Sequence, residues 1–280
     1  MERKISEHLK QHGFRFSHSL GQNFIVDEDI LGSIVESSGI GKDDCVMEIG
    51  AGAGTLTQRL CASAKSVLAF EIDSSLIPII RQMLITCDNY LLINEDIMKA
   101  DLPGLTNDYF GGSPFHVVAN LPYYITTPVL MLLLESEMPI DSVTVMVQKE
   151  VARRIVAKEG GKDYGALTIA VQYRMEAHIA MEVPAARFMP PPKVDSAVVV
   201  LKRHKSPPVQ LEDEALFFRL VKSAFAMRRK TMANNLCASF AMEKDQAKAL
   251  LISLGHDPLI RGEGLSLKEL AQLSNAIYSQ

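Results

Sequence analysis

The chain has 280 residues, of which 48% are hydrophobic and 22% charged, with a formal net charge of −4 and a pI near 6.0. That length suits one or two domains with a sizeable core, and the composition excludes disordered, fibrous and repeat classes. A mildly acidic balance argues against a nucleic-acid-coating protein as a whole, and no apolar run approaches the roughly 18 residues of a membrane span.

The N-terminal stretch MERKISEHLKQHG is charged throughout, and Cys45, Cys61, Cys87 and Cys237 lie far apart with no C-x-x-C pair. Neither a metal site nor a disulfide framework is indicated, and a reducing cytoplasm is the expected location. From residue 45 onward, short apolar runs alternate with longer amphipathic ones, which predicts a parallel sheet with helical crossovers. The strands are expected at CVMEI (45–49), SVLAF (66–70), YLLI (90–93), FHVVA (115–119) and SVTVMV (142–147). Helices are expected at TLTQRLCA (55–62) and LIPIIRQML (76–84), and in VPAARFMPPPKVDSAVVVLKR (183–203) a proline run precedes another strand-like run.

HKSPPVQLEDE (204–214) reads as a linker, because two adjacent prolines among polar residues continue neither element. Beyond it the apolar spacing is helical throughout. The predicted organisation is an α/β domain over 1–204 and a small all-helical domain over 205–280. Basic clusters occur at LKRHK (201–205), at MRRK (227–230) and, more loosely, at QKEVARRIVAKEGGK (148–162). They fit either a local nucleic-acid face or ordinary solvated helices.

VMEIGAGAGTLT (46–57) sets Gly50, Gly52 and Gly54 between a strand and a helix, where backbone N–H groups face a ligand without an intervening Cβ. The G-x-G-x-G spacing differs from the dinucleotide fingerprint, so a dehydrogenase is not supported; a nucleotide-bearing cofactor and a purely structural turn are the two readings. Glu71, at the end of the second strand in AFEID, is placed to accept ribose hydroxyls. Asp96, after the third strand in NEDIM, is placed to accept an adenine amine. Each acid alone also suits a solvent-facing loop.

VVANLPYYITTP (117–128) ends the fourth strand in an amide, a proline and two tyrosines. The Asn120 carbonyl oxygen accepts from an amine, Pro122 fixes φ and removes a donor, and Tyr123 offers a face for a planar base. Acceptors that hold both N–H bonds of an exocyclic amine favour a more tetrahedral nitrogen whose lone pair is free for attack on a methyl group. A strand-ending Asn-x-Pro turn is the structural alternative.

Together EIGAGAGTLT, FEID, NED and NLPYYITTP resemble the S-adenosylmethionine-dependent rRNA adenine dimethyltransferases, over nearly the whole chain. SLGQNFIVD (19–27) is similar to the family's first cofactor motif, and RFMPPPKVDSAVV (187–199) looks like the segment that separates the small-subunit (KsgA) type from the large-subunit (Erm) type. The resemblance implies a Rossmann-like class I methyltransferase domain. It implies that Asn23, Ile25 and Gly50 contact the methionyl part of S-adenosyl-L-methionine, Glu71 the ribose and Asp96 the adenine amine. Asn120 with the Leu121 carbonyl would hold the target N6, and Tyr123 and Phe188 would sandwich the base.

The implied substrate is two adjacent adenosines in a 3′-terminal hairpin loop of 16S rRNA, within an immature small ribosomal subunit. Arg228, Arg229 and Lys230, in a segment read as a basic stripe with helical spacing, are assigned to RNA contact, and the chain is expected to be a monomer. The chain departs from the family pattern at Ser17 and His18, where lysines are usual, and at Glu95, where a glycine is common. An Erm-type enzyme, an assembly factor acting mainly by binding, and a small-molecule methyltransferase are the competing readings.

Overall fold

The computed structural model describes residues 14, 16, 21–25 and 27–279, so the N-terminal charged stretch, Ser17 and His18 lie outside the described residues. In chain order the first elements are β1 (Phe24–Ile25), α1 (Glu28–Ser38), β2 (Cys45–Ile49), α2 (Thr55–Ser63), β3 (Ser66–Phe70), α3 (Ile77–Met83) and β4 (Tyr90–Ile93). Then follow α4 (Leu102–Phe110), β5 (Phe115–Asn120), α5 (Thr126–Glu135), β6 (Ile140–Gln148), α6 (Lys149–Ile155) and α7 (Ala166–Arg174). The remainder comprises β7 (Met175–Val183), β8 (Phe188–Met189), β9 (Ser196–Arg203), α8 (Glu214–Ala226), α9 (Met232–Phe240), α10 (Lys244–Ser253) and α11 (Leu267–Tyr278).

A seven-stranded sheet has the order β4-β3-β2-β5-β6-β9-β7. Its first five members pair in parallel, and all five residues of β2 are buried, as a strand covered on both faces requires. The expectation of a parallel sheet ends at β9, which pairs antiparallel with β6; the short link 184–195 before it carries no α-helix for a crossover. Strand β7, half exposed along an alternating pattern, was not among the predicted strands.

One face of the sheet is sealed by α1, α2 and α3. Val46, Val67, Val118 and Met146 of the strands meet Leu31, Ile34, Leu60 and Ile80 of the helices in a single apolar cluster. Each such side chain contributes about 1.5–3 kcal/mol by leaving water. Helix α1 starts where the Asp27 carboxylate accepts the Asp29 and Ile30 amides and stops at Gly39 in a left-handed conformation.

The chain winds outward from β2 through β3 to β4, then returns to add β5 on the other side of β2. That reversal opens a crevice at the carboxyl ends of β2 and β5, the place where open α/β sheets hold ligands. Gly50 and Asn120 stand at its two sides, because Ile49 registers with Ala119.

A second compact unit is helical and comprises Arg153–Glu176 together with the chain from His204. Its core gathers Tyr164, Ile169, Phe217, Leu220, Leu236, Leu251 and Leu270. The boundary near residue 205 therefore coincides with the second entry of the chain into this unit but misses the first. Residues 153–176, assigned from sequence to the α/β domain, belong instead with the helices. The physical reason is the fully buried Tyr164, whose hydroxyl donates to the Leu265 carbonyl at 2.9 Å, and Ile169 beside it in the same core.

Candidate functional site

Every residue assigned from sequence to the cofactor or to the target amine lines one cleft of the α/β unit. Its floor is the loop between β2 and α2. Gly50, Gly52 and Gly54 have φ of 79°, 59° and 81°, a left-handed region that side chains with a Cβ resist. A Cβ at Gly52 would come within 3.2 Å of the Phe24 ring, so the loop is packed as well as bent. The Gly50 and Ala51 amides donate to the Phe70 carbonyl at 2.9 and 3.0 Å, tying the loop to the end of β3. Helix α2 begins at Gly54 with no side-chain cap, which leaves its first amides open to a ligand.

Glu71 follows β3 and is 6% exposed. One carboxylate oxygen accepts the Gly52 amide at 2.7 Å and the other the Asp73 amide at 2.8 Å. Burial raises its carboxyl above the ordinary range, while these two N–H groups oppose the rise. Each oxygen keeps a lone pair for a hydroxyl donor.

Asp96 lies at the far end of the cleft, one oxygen accepting the Met98 amide at 3.0 Å and the other 3.9 Å from the Lys99 ammonium. Sequence reasoning missed Asn94, whose side-chain amide donates to the Glu71 and Ile72 carbonyls at 2.7 and 3.2 Å and so holds the two acid-bearing turns together. The NED motif contained it, but an asparagine bonding only to main chain leaves no charge signal.

At the other end, the Asn120 side-chain amide donates to the Asn23 carbonyl at 3.1 Å. Its Nδ2 is thereby engaged and its Oδ1 is the acceptor that remains. Asn23 in turn donates through its side chain to the Gly21 carbonyl at 3.1 Å. After Asn120 and the buried Leu121, the Pro122 carbonyl accepts the Ile125 amide at 3.1 Å and the Thr126 hydroxyl at 3.2 Å, which fixes the turn.

The Tyr123 hydroxyl is 2.9 Å from the Ser196 hydroxyl at the start of β9. Ser196 is a second positioning residue that the sequence reading passed over. Phe188 is 4% exposed and registers opposite Ile25 in the two-stranded β1–β8 ladder, so these two cleft-lining residues belong to one piece of structure.

Glu48, two residues before Gly50, is fully buried, and neither carboxyl oxygen has a hydrogen-bond partner among the described residues. The Thr57 hydroxyl, equally without a partner, is the polar group facing it. Burial pushes the Glu48 carboxyl up to about 8, Thr57 pulls the other way and the charge of Glu71 adds to the rise. These surroundings favour its protonated form.

The basic residues assigned to RNA fall in the helical unit, on the turn between α8 and α9 and not along a helix, which corrects the expected stripe. Arg228 is committed elsewhere: its guanidinium donates to the Lys162 carbonyl at 2.8 Å and the Tyr164 carbonyl at 3.3 Å, and stands 3.4 Å from a Glu263 oxygen. Arg229 and Lys230 are exposed. Among the described residues no group of three or more His, Cys, Asp or Glu could hold a metal, and no helix is long and apolar enough to cross a membrane.

A family model described as "Ribosomal RNA adenine dimethylase" matches residues 13–257. The Ribosomal RNA small subunit methyltransferase A of Geobacillus thermodenitrificans (strain NG80-2) is 49% identical over 278 residues, covering 98% of this chain and 95% of its own. The protein of the same name from Enterococcus faecalis (strain ATCC 700802 / V583) is 48% identical, with 98% and 94% covered. Among solved structures, a dimethyladenosine transferase from Plasmodium falciparum superposes with a TM-score of 0.75 at 25% identity, over 89% of this chain and 95% of that one. The 23S rRNA methyltransferase ErmE gives a TM-score of 0.70 at 26% identity, over 91% and 100%.

Proposed function

Because this chain belongs to the ribosomal RNA adenine dimethylase family, we propose that it dimethylates the N6 amines of two adjacent adenosines in the 3′-terminal hairpin loop of 16S rRNA. The observation that carries this reading is the Asn120 amide, oriented by Asn23 so that its oxygen is left for an amine beside the Tyr123 ring. The substrate is an immature small subunit, met in the cytoplasm by a monomer.

The cleft suits the family's cofactor. A loop bent through three left-handed glycines, an uncapped helix start and a buried acid at the next strand end match the phosphate-free, hydroxyl-rich adenosine of S-adenosylmethionine. Asn23, Ile25 and Gly50 would hold its methionyl end, Glu71 the ribose and Asp96 the adenine amine. When bound, it supplies an activated methyl group.

The chain's own residues prepare the nucleophile. An adenine N6 lone pair is delocalised into the ring. Acceptors at Asn120 Oδ1 and the Leu121 carbonyl engage its two N–H bonds and favour a tetrahedral nitrogen, a preorganised electrostatic effect on the order of 10²–10³ in rate per group. Tyr123, restrained through Ser196, and Phe188 flank the base and exclude water. A monomethylated amine offers only one N–H, so the second transfer relies on a single acceptor and on the flanking rings. The target base must leave its stack, which is cheapest in a hairpin loop.

Arg229 and Lys230 support RNA contact through phosphate charge. A large-subunit target is the second reading, kept by the likeness to ErmE. The deciding experiment offers radiolabelled S-adenosylmethionine to small and large subunits from a strain lacking this methylation, with the wild type and Asn120→Ala. Label recovered as N6,N6-dimethyladenosine in small-subunit RNA, and lost in the variant, supports the first reading. Label in the large subunit replaces it with the second.

A further inference from the structure

Tyr124 follows Tyr123 directly and is held in a different way. The Tyr123 hydroxyl is tied to Ser196, itself fully buried. Tyr124 is 56% exposed at the rim of the same cleft, and among the described residues its hydroxyl has no hydrogen bond. Its ring lies next to Gly21. Gly21, at φ 59°, presents a bare Cα to it: a Cβ there would lie 3.5 Å from Cδ1 and 3.6 Å from Cε1 of the ring, and 3.7 Å from Pro122 Cβ.

The Gly21 carbonyl accepts from Asn23, and the Asn23 carbonyl accepts from Asn120. The ring therefore lies beside the segment that orients the target-binding amide, while Pro122 and the Ile125-to-Pro122 bond restrain its own backbone. A single exposed aromatic is ordinary on a protein surface. A restrained one, with a free hydroxyl, immediately beside the base-binding tyrosine is a placement that chemistry can use.

Extruding one base from an RNA loop strips its neighbour of a stacking partner. Consecutive Cα atoms are about 3.8 Å apart, so two adjacent tyrosines with different anchorage stand within reach of two adjacent nucleotides. We propose that Tyr124 is the stacking platform for the nucleotide next to the adenosine being methylated, and that it thereby sets RNA affinity and the register in which neighbouring adenosines enter the pocket. This rests on the proposed RNA substrate. Base–aromatic stacking is tolerant of base identity, which suits a ring that must serve a different neighbour each time the register shifts.

The test measures binding of a short RNA hairpin, intact or with an abasic site at either neighbour of the target adenosine, to the wild type, Tyr124→Ala and Tyr124→Phe. S-adenosylhomocysteine affinity and thermal melting are followed in parallel. Tyr124→Ala should weaken binding of the intact hairpin roughly 10-fold. Tyr124→Phe should bind like the wild type, since the hydroxyl is not used. One of the abasic hairpins should bind wild type and Tyr124→Ala equally.

Unchanged hairpin affinity in Tyr124→Ala overturns the proposal. So does a loss that appears only in S-adenosylhomocysteine affinity or melting temperature, which would make the ring a prop for Gly21. Because binding is read and not turnover, the two hypotheses fail separately: wild type that binds the hairpin but methylates neither subunit defeats the proposed function, whereas equal binding by wild type and Tyr124→Ala defeats this one.

Discussion

Asn120 donates its side-chain amide to the Asn23 carbonyl across 97 residues of sequence, and this one bond decides which end of the amide faces the cleft. Asn120→Asp keeps the size but replaces the donor with an acceptor, setting two oxygens against each other. Methyl transfer should fall on the order of 10²–10³-fold, while S-adenosylhomocysteine affinity changes far less. Radiometric turnover beside calorimetric titration separates the two. A matched loss in both would mean that Asn120 serves the cofactor loop and not the target.

Glu48 makes stability depend on pH in a direction opposite to that of most carboxyls. Its folded value, about 8, lies above the ordinary 4.5, so the folded state holds a proton that the unfolded chain releases. The stability it contributes is complete below the unfolded value and is lost as pH rises through the folded one, by up to about 1.4 kcal/mol per pH unit in that window. Glu48→Gln, permanently neutral, should flatten the decline between about pH 5 and 8. Urea unfolding of both proteins across that range checks it, and parallel curves would show that the carboxyl is already ionised.

Glu71 accepts the Gly52 and Asp73 amides, and the proposed function gives the same oxygens a second task as acceptors for the ribose. Glu71→Ala should weaken S-adenosylhomocysteine binding at least about 10-fold and lower the melting temperature, because a charge-assisted pair of bonds is lost with it. Calorimetry and thermal melting measure these, and an unaltered affinity would place the ribose elsewhere.

Arg228 and its two neighbours should behave differently. Arg229→Ala with Lys230→Ala is expected to reduce RNA affinity and lower the salt slope by up to about 2, with stability unchanged. Arg228→Ala should destabilise by about 1 kcal/mol, a modest figure because the side chain is 46% exposed, as the Lys162 and Tyr164 carbonyls lose their donor. Salt-dependent RNA binding and chemical denaturation on the separate variants resolve charge from scaffold.

Much of the α/β unit was readable because its strands are covered on both faces. CVMEI and SVLAF stand at the predicted bounds, since a continuous apolar run leaves little choice of register, and YLLI does so too although it is the partly exposed edge strand. Strand β7 was not readable: MEAHIAMEV follows Arg174 with no glycine or proline to mark the change from helix to strand. The turn holding Arg228 was hidden likewise, its one local mark being Thr231, which caps α9 by accepting the Asn234 amide. In the cleft, residues with charge or ring chemistry could be named from sequence, whereas Asn94 and Ser196 could not, because their roles exist only toward partners on other elements. Tyr164 was misassigned for the same reason, its hydroxyl partner lying 101 residues away.

The helical unit takes its chain in two instalments, and its core needs both. Tyr164 and Ile169 from the first stand among Phe217, Leu220 and Leu270 from the second. It is thus not an appendage that could be cut off near residue 205 or grafted whole onto a relative. A transplant would have to carry residues 153–176 along with the tail, and recombination at a single crossover would leave an unfilled core on one side and stranded tyrosine on the other. Inheritance of this unit is therefore expected to be all or nothing.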